Sequence, residues 1–149
     1  MTKLKRTSSD NPDFQNLVFE LDKDLAKRNG ETNHFFAQFN KSNQLKHVVL
    51  AYAEKQVVGC GALKEFDKNS IEIKRMFVPF QLRTQGIASK ILHELENWSK
   101  ELGYKKCVLE TGNKMPEALA LYKNNNFKIT PNYGQYEGIE SSICFEKIL

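Results

Sequence analysis

Apolar and polar residues alternate along this chain with two periods, and the switches between them mark its elements. Phe14, Leu17, Val18, Leu21 and Leu25 recur at the three-to-four-residue spacing of one helix face. Asn11 and Pro12 precede them, an N-cap followed by proline at the first helical position. Gly30 closes that helix, and residues 3–7 before it suit a strand. The next apolar runs are shorter and rich in β-branched residues. Residues 45–53, 57–66 and 71–78 predict three strands of a meander, joined by polar turns at Glu54 and Lys55 and over 67–69. Gly59 and Gly61 flatten one face of the middle strand. Helical spacing then returns through Ala88, Ile91, Leu92, Leu95, Trp98 and Leu102, and Gly103 stops it.

A strand over 104–111, a helix over 115–125 and two closing strands over 127–130 and 142–147 complete the pattern. Asn126 stands where a left-handed residue caps the last helix, a conformation asparagine tolerates next after glycine. The loop between the closing strands, PNYGQYEGIE, is rich in Tyr and Gly. Residues 31–43 carry His34, Phe35, Phe36 and Phe39 and read as a short helix or a loop. Strands first, then strand and helix in alternation, mean an α/β fold: a mixed sheet with helices on both faces. The connection from 71–78 through the long helix to 104–111 predicts a right-handed βαβ unit with parallel strands. Ligands of such sheets sit at the carboxyl ends of the strands.

At that end lies FVPFQLRTQGIA, from Phe77 to Ala88. A strand, a short turn and then Arg-x-x-Gly-x-Ala opening a helix leaves backbone N–H groups unpaired at a helix N-terminus, a site for phosphate or pyrophosphate. Gly86 takes backbone angles closed to other residues and lets a ligand come close. Ala88 keeps the first turn slim, and Arg83 adds a fixed positive charge. Alone, these residues also describe a plain helix start with a basic neighbour. The Rossmann G-x-G-x-x-G and Walker GK[ST] patterns are both missing, which weighs against a nucleotide- or nucleic-acid-binding domain.

The RTQGIA stretch resembles the acyl-CoA pyrophosphate loop of the GNAT superfamily, the acyl-CoA-dependent N-acyltransferases. The strand EIKRMFV, the later strand KCVLET and the helix ALALYKNNNF are similar to the rest of that family's core, from about Val57 to Phe127. The resemblance implies one domain over residues 1–149. Its sheet would be mixed and largely antiparallel, of six to seven strands, around a central βαβ acyl-CoA-binding unit. It implies direct transfer of an acetyl group from acetyl-CoA to a primary amine of a small molecule or an exposed amine. A non-catalytic acyl-CoA-binding or sensing module on the same fold is the alternative. By the same resemblance, the loop Arg83, Thr84, Gln85, Gly86, Ile87 and Ala88 holds the CoA pyrophosphate, and backbone groups of Met76, Phe77 and Val78 pair with the pantetheine arm. Tyr122 stands near the CoA sulfur, where its phenol would protonate the thiolate; a core tyrosine on the helix's buried face is the other reading. The family often has Asn seven residues before this tyrosine and usually Gly-Phe after the helix. This chain has Met115 and Asn126-Phe127 there.

Acyl transfer from a thioester to an amine needs a polarised carbonyl, a deprotonated amine and a protonated leaving thiolate. Glu72 and Glu110 are the candidate bases, acting directly or through a water. Apolar flanks and partial burial would raise either carboxyl pKa toward a useful value. Each also reads as a surface or salt-bridged carboxylate, with Lys74 and Arg75 adjacent to Glu72. His47 is a third candidate, and many related enzymes need only ordered water. Phe35, Phe39, Tyr133 and Tyr136 are candidate walls of an acceptor pocket, with Glu137 or Glu140 attracting a cationic amine.

Composition narrows the picture in a few places. A chain of 149 residues supports one domain with a real core. A net charge of +4 is mild and carries no nucleic-acid footprint. Cys60, Cys107 and Cys144 are odd in number, far apart and each in a predicted strand, which argues for buried free thiols. His34, His47 and His93 show no ligand spacing, so no metal is expected. No apolar run approaches the ~18 residues of a membrane span, and no secretory leader is evident; the expectation is a cytoplasmic protein. A homodimer through the terminal strands is common among the proteins this chain resembles.

Overall fold

A computed structural model describes residues 1–30, 33 and 44–149. Its strands are β1 (Thr2–Thr7), β2 (His47–Ala53), β3 (Gln56–Glu65), β4 (Ser70–Phe77), β5 (Lys106–Gly112), β6 (Lys128–Thr130) and β7 (Ser142–Ile148). The helices among the described residues are α1 (Pro12–Asn29), α2 (Ile87–Glu101) and α3 (Pro116–Asn124), with single 3-10 turns at Phe80–Leu82 and Gly134–Tyr136. The strands form one sheet in the order β1-β2-β3-β4-β5-β7-β6. The β4–β5 pair is parallel, and the other neighbours run antiparallel. This is the mixed α/β sheet that the sequence pattern predicts, with seven strands.

The apolar runs of β2 and β3 are buried on both sides, because strand side chains alternate between faces. Val48, Leu50, Cys60 and Ala62 pack beneath Phe14, Leu17, Val18 and Leu21 of α1. Val49, Ala51, Val58 and Leu63 pack on the other face with Ile87, Ile91, Leu92 and Leu95 of α2. Side-chain-free positions let α2 settle close. A Cβ added at Gly61 would lie 2.6 Å from Met76 Sδ and 2.8 Å from Leu95 Cδ1. Asn11 caps α1 by accepting from the Asp13 N–H at 2.9 Å. Asn126, at φ 70°, ends α3 in a Schellman motif: Phe127 N–H donates to Tyr122 O and Asn126 N–H to Lys123 O. Leu102 lies just past the end of α2 and is 40% exposed, so the apolar stripe stops at Trp98, one turn short of the predicted end.

Two irregularities shape the middle of the sheet. The first is a bulge in β4. Ala62 pairs with Lys74 and Cys60 with Phe77, so two steps along β3 oppose three along β4. Arg75 carries the extra step at φ 59°. Ile71 and Ile73 face α2 before the bulge, and Met76 and Val78 take over that face after it. The second is a parting of strands. β4 and β5 pair only at Ser70–Lys106, Ile71–Cys107 and Glu72–Val108. β4 nevertheless runs on to Phe77 and β5 to Gly112. A V-shaped gap therefore opens toward their carboxyl ends.

Gly61→Val should lower the free energy of unfolding by ~1–3 kcal/mol, since the added methyls overpack the contact with α2. Denaturant titration checks this; an unchanged midpoint would mean that α2 shifts without cost.

Candidate active site

A cavity of about 400 Å³ lies between the start of α2, the length of α3 and the far end of β4. Met76, Phe77, Val78, Arg83, Thr84, Gly86, Ile87, Ala88 and Tyr122 line it. Its volume is within the range of small-molecule sites. At its mouth, α2 begins at Gly86, held at φ 79° with no side-chain cap. The first bond of the α2 ladder runs from Lys90 N–H to Gly86 O at 3.2 Å. The N–H groups of Ile87, Ala88 and Ser89 therefore precede the ladder and have no acceptor within it. No acidic residue stands in this first turn. A Cβ built at Gly86 meets nothing within 4 Å. Free amides, open space and a helix N-terminus are what a pyrophosphate requires, so the residues present fit a CoA-type ligand.

The gap between β4 and β5 opens into a second cavity of about 110 Å³. The two cavities share Leu21, Met76, Met115, Ala118 and Tyr122 as wall residues. Tyr122 is 6% exposed, its ring 5.8 Å from Phe127 and 5.7 Å from Phe145. Burial and the nearby Glu110 charge push its phenol well above the usual tyrosine value, so it stays protonated.

Glu72, Lys74, Arg75, Glu110 and Tyr136 line the second cavity. Burial raises the Glu110 carboxyl to about 7; the Ser142 hydroxyl, donating to Oε2 at 2.7 Å, and the Lys74 charge oppose the rise. Glu72 is engaged differently. Its Oε2 accepts from Tyr133 OH at 2.7 Å, and its Oε1 lies 3.6 Å from Lys74 Nζ, both side chains 8% exposed. Both candidate bases thus have partners: Ser142 for Glu110, and Tyr133 with Lys74 for Glu72.

Several sequence expectations change in detail. Gln85 is exposed and outside the cleft lining. Arg83 folds across the cleft: its Nε donates to Val78 O at 2.8 Å, and its Nη atoms reach toward Asp24 and Glu117 at 3.9 and 3.7 Å. Its charge is thus already shared, and the Val78 carbonyl is occupied. Tyr133 donates to Glu72 and is not among the residues lining the second cavity, whereas Tyr136 is. Glu137 and Glu140 are exposed. His47 packs edge-on against Trp98, ring centroids 4.8 Å apart, away from both carboxylates. Phe35 and Phe39 lie outside the described residues. Sequence reasoning did not reach Leu21 and Asp24 of α1, which wall the cofactor-sized cleft, nor Ser142 as a partner of Glu110. These residues are distant in the chain, and no local spacing joins them. Among the described residues no cluster of His, Cys, Asp and Glu could hold a metal ion, and no helix is long and apolar enough to cross a membrane.

Comparison with known proteins gives this fold its family. The acetyltransferase (GNAT) family matches residues 11–127. The IAA acetyltransferase of Azospirillum brasilense is 30% identical over 135 residues, covering 89% of this chain and 88% of that protein. The chain belongs to the GNAT acetyltransferase family. Solved structures agree on the fold. A Klebsiella pneumoniae protein superposes with a TM-score of 0.83 at 23% identity, over 100% of this chain and 98% of that one. A GNAT family acetyltransferase from Elizabethkingia anophelis, solved with acetyl-CoA bound, gives 0.72 at 22% identity, over 99% and 98%.

Gly86→Val should leave a folded protein whose melting midpoint falls by a few degrees, because a β-branched residue resists positive φ. Its affinity for acetyl-CoA should fall at least about tenfold, since side-chain methyls crowd the free amides. Calorimetric titration reads this, and an unchanged affinity would take the loop out of the cofactor site. Glu110 carries a linkage signature of its own. Its folded pKa of about 7 lies well above the ordinary carboxyl value of an unfolded chain. The stability that this shift contributes is present in full below the unfolded value and lost as pH rises through 7. Over that window the cost should approach about 3 kcal/mol. Thermal melts from pH 5 to 8.5 should show the decline, and Glu110→Gln should flatten it.

Proposed function

We propose that this protein is an N-acetyltransferase that moves an acetyl group from acetyl-CoA directly to a primary amine. The observation that carries this reading is the junction of the two cavities. A cleft with an uncapped helix N-terminus at its mouth meets, at Tyr122, a smaller cavity lined by Glu110.

Bound acetyl-CoA would supply an acetyl thioester; as the C–N bond forms and the C–S bond breaks, an ammonium acceptor gives an amide, a thiol and one proton. The residues of the chain divide the remaining work. The amides of Ile87, Ala88 and Ser89 would hold the pyrophosphate. The open edge of β4 beyond Glu72 offers backbone groups to an amide-bearing ligand arm, as strand edges do. Glu110, titrating near 7, takes a proton from the acceptor nitrogen at neutral pH. Tyr122, kept protonated by burial, donates one to the leaving sulfur. Tyr122 and Glu110 line one cavity; of the two protons that the ammonium loses, one returns to the phenol and the other leaves to solvent. Glu72 orders the loop through Tyr133 rather than acting as the base.

Screening primary amines for release of free CoA tests the reading. Tyr122→Phe should lower kcat on the order of 10²-fold with acetyl-CoA affinity nearly unchanged, the usual contribution of a positioned proton donor. The kcat/KM profile should rise with pH through about 7 and level above it, and Glu110→Gln should remove that limb. Tight acetyl-CoA binding with no turnover on any amine would instead mark a binding module on the same fold.

A further inference from the structure

Ser89 is the third residue of α2 and lines the cleft of about 400 Å³. Beside its hydroxyl stands Asn125, the residue after the last turn of α3, 9% exposed and outside the lining. Asn125 Nδ2 lies 2.8 Å from Leu121 O and 3.2 Å from Ser89 Oγ, and Oδ1 lies 2.9 Å from His93 Nε2. A backbone carbonyl only accepts, so the atom beside Leu121 O is the amide nitrogen. The other two bonds then have fixed directions. His93 Nε2–H donates to Oδ1, and Nδ2 donates its second proton to Ser89 Oγ. Ser89 is thereby an acceptor toward the protein. Its single O–H proton meets no acceptor among the described residues and is left over on a residue of the cleft wall.

This network is not needed to end α3. Backbone bonds already close that helix, from Asn125 N–H to Leu121 O and from Phe127 N–H to Tyr122 O. The side-chain bonds run one way, from His93 through Asn125 to Ser89, and bonds so aligned polarise one another toward their free end. That end is a donor, in the same helical turn as the amides that precede the α2 ladder. No acidic residue stands in this turn to take the proton. An anion rich in oxygens suits such a set, since hydrogen bonds to charged oxygens are about twice as strong as those between neutral groups. Resting on the reading that this cleft takes acetyl-CoA, we infer that the Ser89 hydroxyl donates to a pyrophosphate oxygen. Asn125, held by His93, is the positioning residue that keeps the Ser89 proton free to do so.

Calorimetric titration with acetyl-CoA tests this on the wild-type protein, Ser89→Ala, Asn125→Asp and the double variant, with circular dichroism as the check on folding. Ser89→Ala should weaken binding about tenfold, through loss of one charge-assisted hydrogen bond. Asn125→Asp keeps the side chain's shape but accepts where the amide donates, so Ser89 turns its proton inward; binding should again fall about tenfold or more. The double variant should bind about tenfold more tightly than the product of the two single losses implies, because both remove the same bond. The added negative charge enters Asn125→Asp and the double variant alike and cancels in that comparison. Single losses that simply multiply would overturn the inference. So would a Ser89→Ala protein that binds as tightly as the wild type, and in both cases the acetyltransferase reading stands. No binding by the wild-type protein would sink that reading and the inference together. S-acetylpantetheine lacks the pyrophosphate, so Ser89→Ala should change its affinity less than about twofold; an equal loss for both ligands would overturn the assignment to the pyrophosphate. One readout needs no variant: long-range nitrogen–proton correlation in the free protein should find a proton on His93 Nε2. A proton on Nδ1 alone would break the direction of the chain of bonds and overturn the inference.

Discussion

The parting of β4 from β5 after three paired positions governs the rest of this structure. Two parallel strands that stayed paired to their ends would close the sheet and leave no interior for a ligand. Once they separate, backbone groups beyond Glu72 lose their neighbouring strand, and unpaired backbone in an interior is costly. A ligand that carries amides of its own can restore those bonds, which is why the gap reads as a site rather than a defect. The gap also puts Tyr122 of α3 and Glu110 of β5 in one cavity wall.

Burial then sorts the chemistry. Glu110 and Tyr122 share a poorly solvated space, and the same desolvation acts on both by disfavouring their charged forms. For the carboxyl the outcome is a group that changes state near neutrality. For the phenol it is a donor that does not ionise. Glu72 sits two residues before Lys74 on the same strand face and takes a different part, because Tyr133 and Lys74 engage its two oxygens. Two acidic side chains on adjacent strands are thus distinguished by their partners, not by their own chemistry.

The bulge at Arg75 is the second consequence of an irregular β4. The extra residue turns Met76 and Val78 toward α2, where Gly59 and Gly61 leave room for that packing. It also directs Arg75 to a place that regular alternation would have given to an apolar side chain. The strand therefore serves two ends at once: its apolar residues seal the core against α2, and its polar ones furnish the cavity.

Much of this was legible in order along the chain. Asn11-Pro12, Gly30, Gly86 and Asn126 punctuate the helices because capping depends on a few adjacent residues. The periods of 2 and 3.6 residues placed each strand and helix within a few residues, since burial of one face imposes them locally. The turn that opens α2 was legible for the same reason: its amides, its glycine and its helix are consecutive. What sequence alone determined, then, was the set of elements, their order and the glycine-led turn that opens α2. What only the tertiary structure decided was which side chains meet. Glu110 meets Ser142 and Glu72 meets Tyr133, each more than 30 residues from its partner. The turning of Arg83 onto Val78, the placing of His47 against Trp98 and the buried, half-paired state of Arg75 likewise follow from packing between distant segments. Desolvation and pairing are properties of a folded neighbourhood, and no spacing along a single chain encodes them directly.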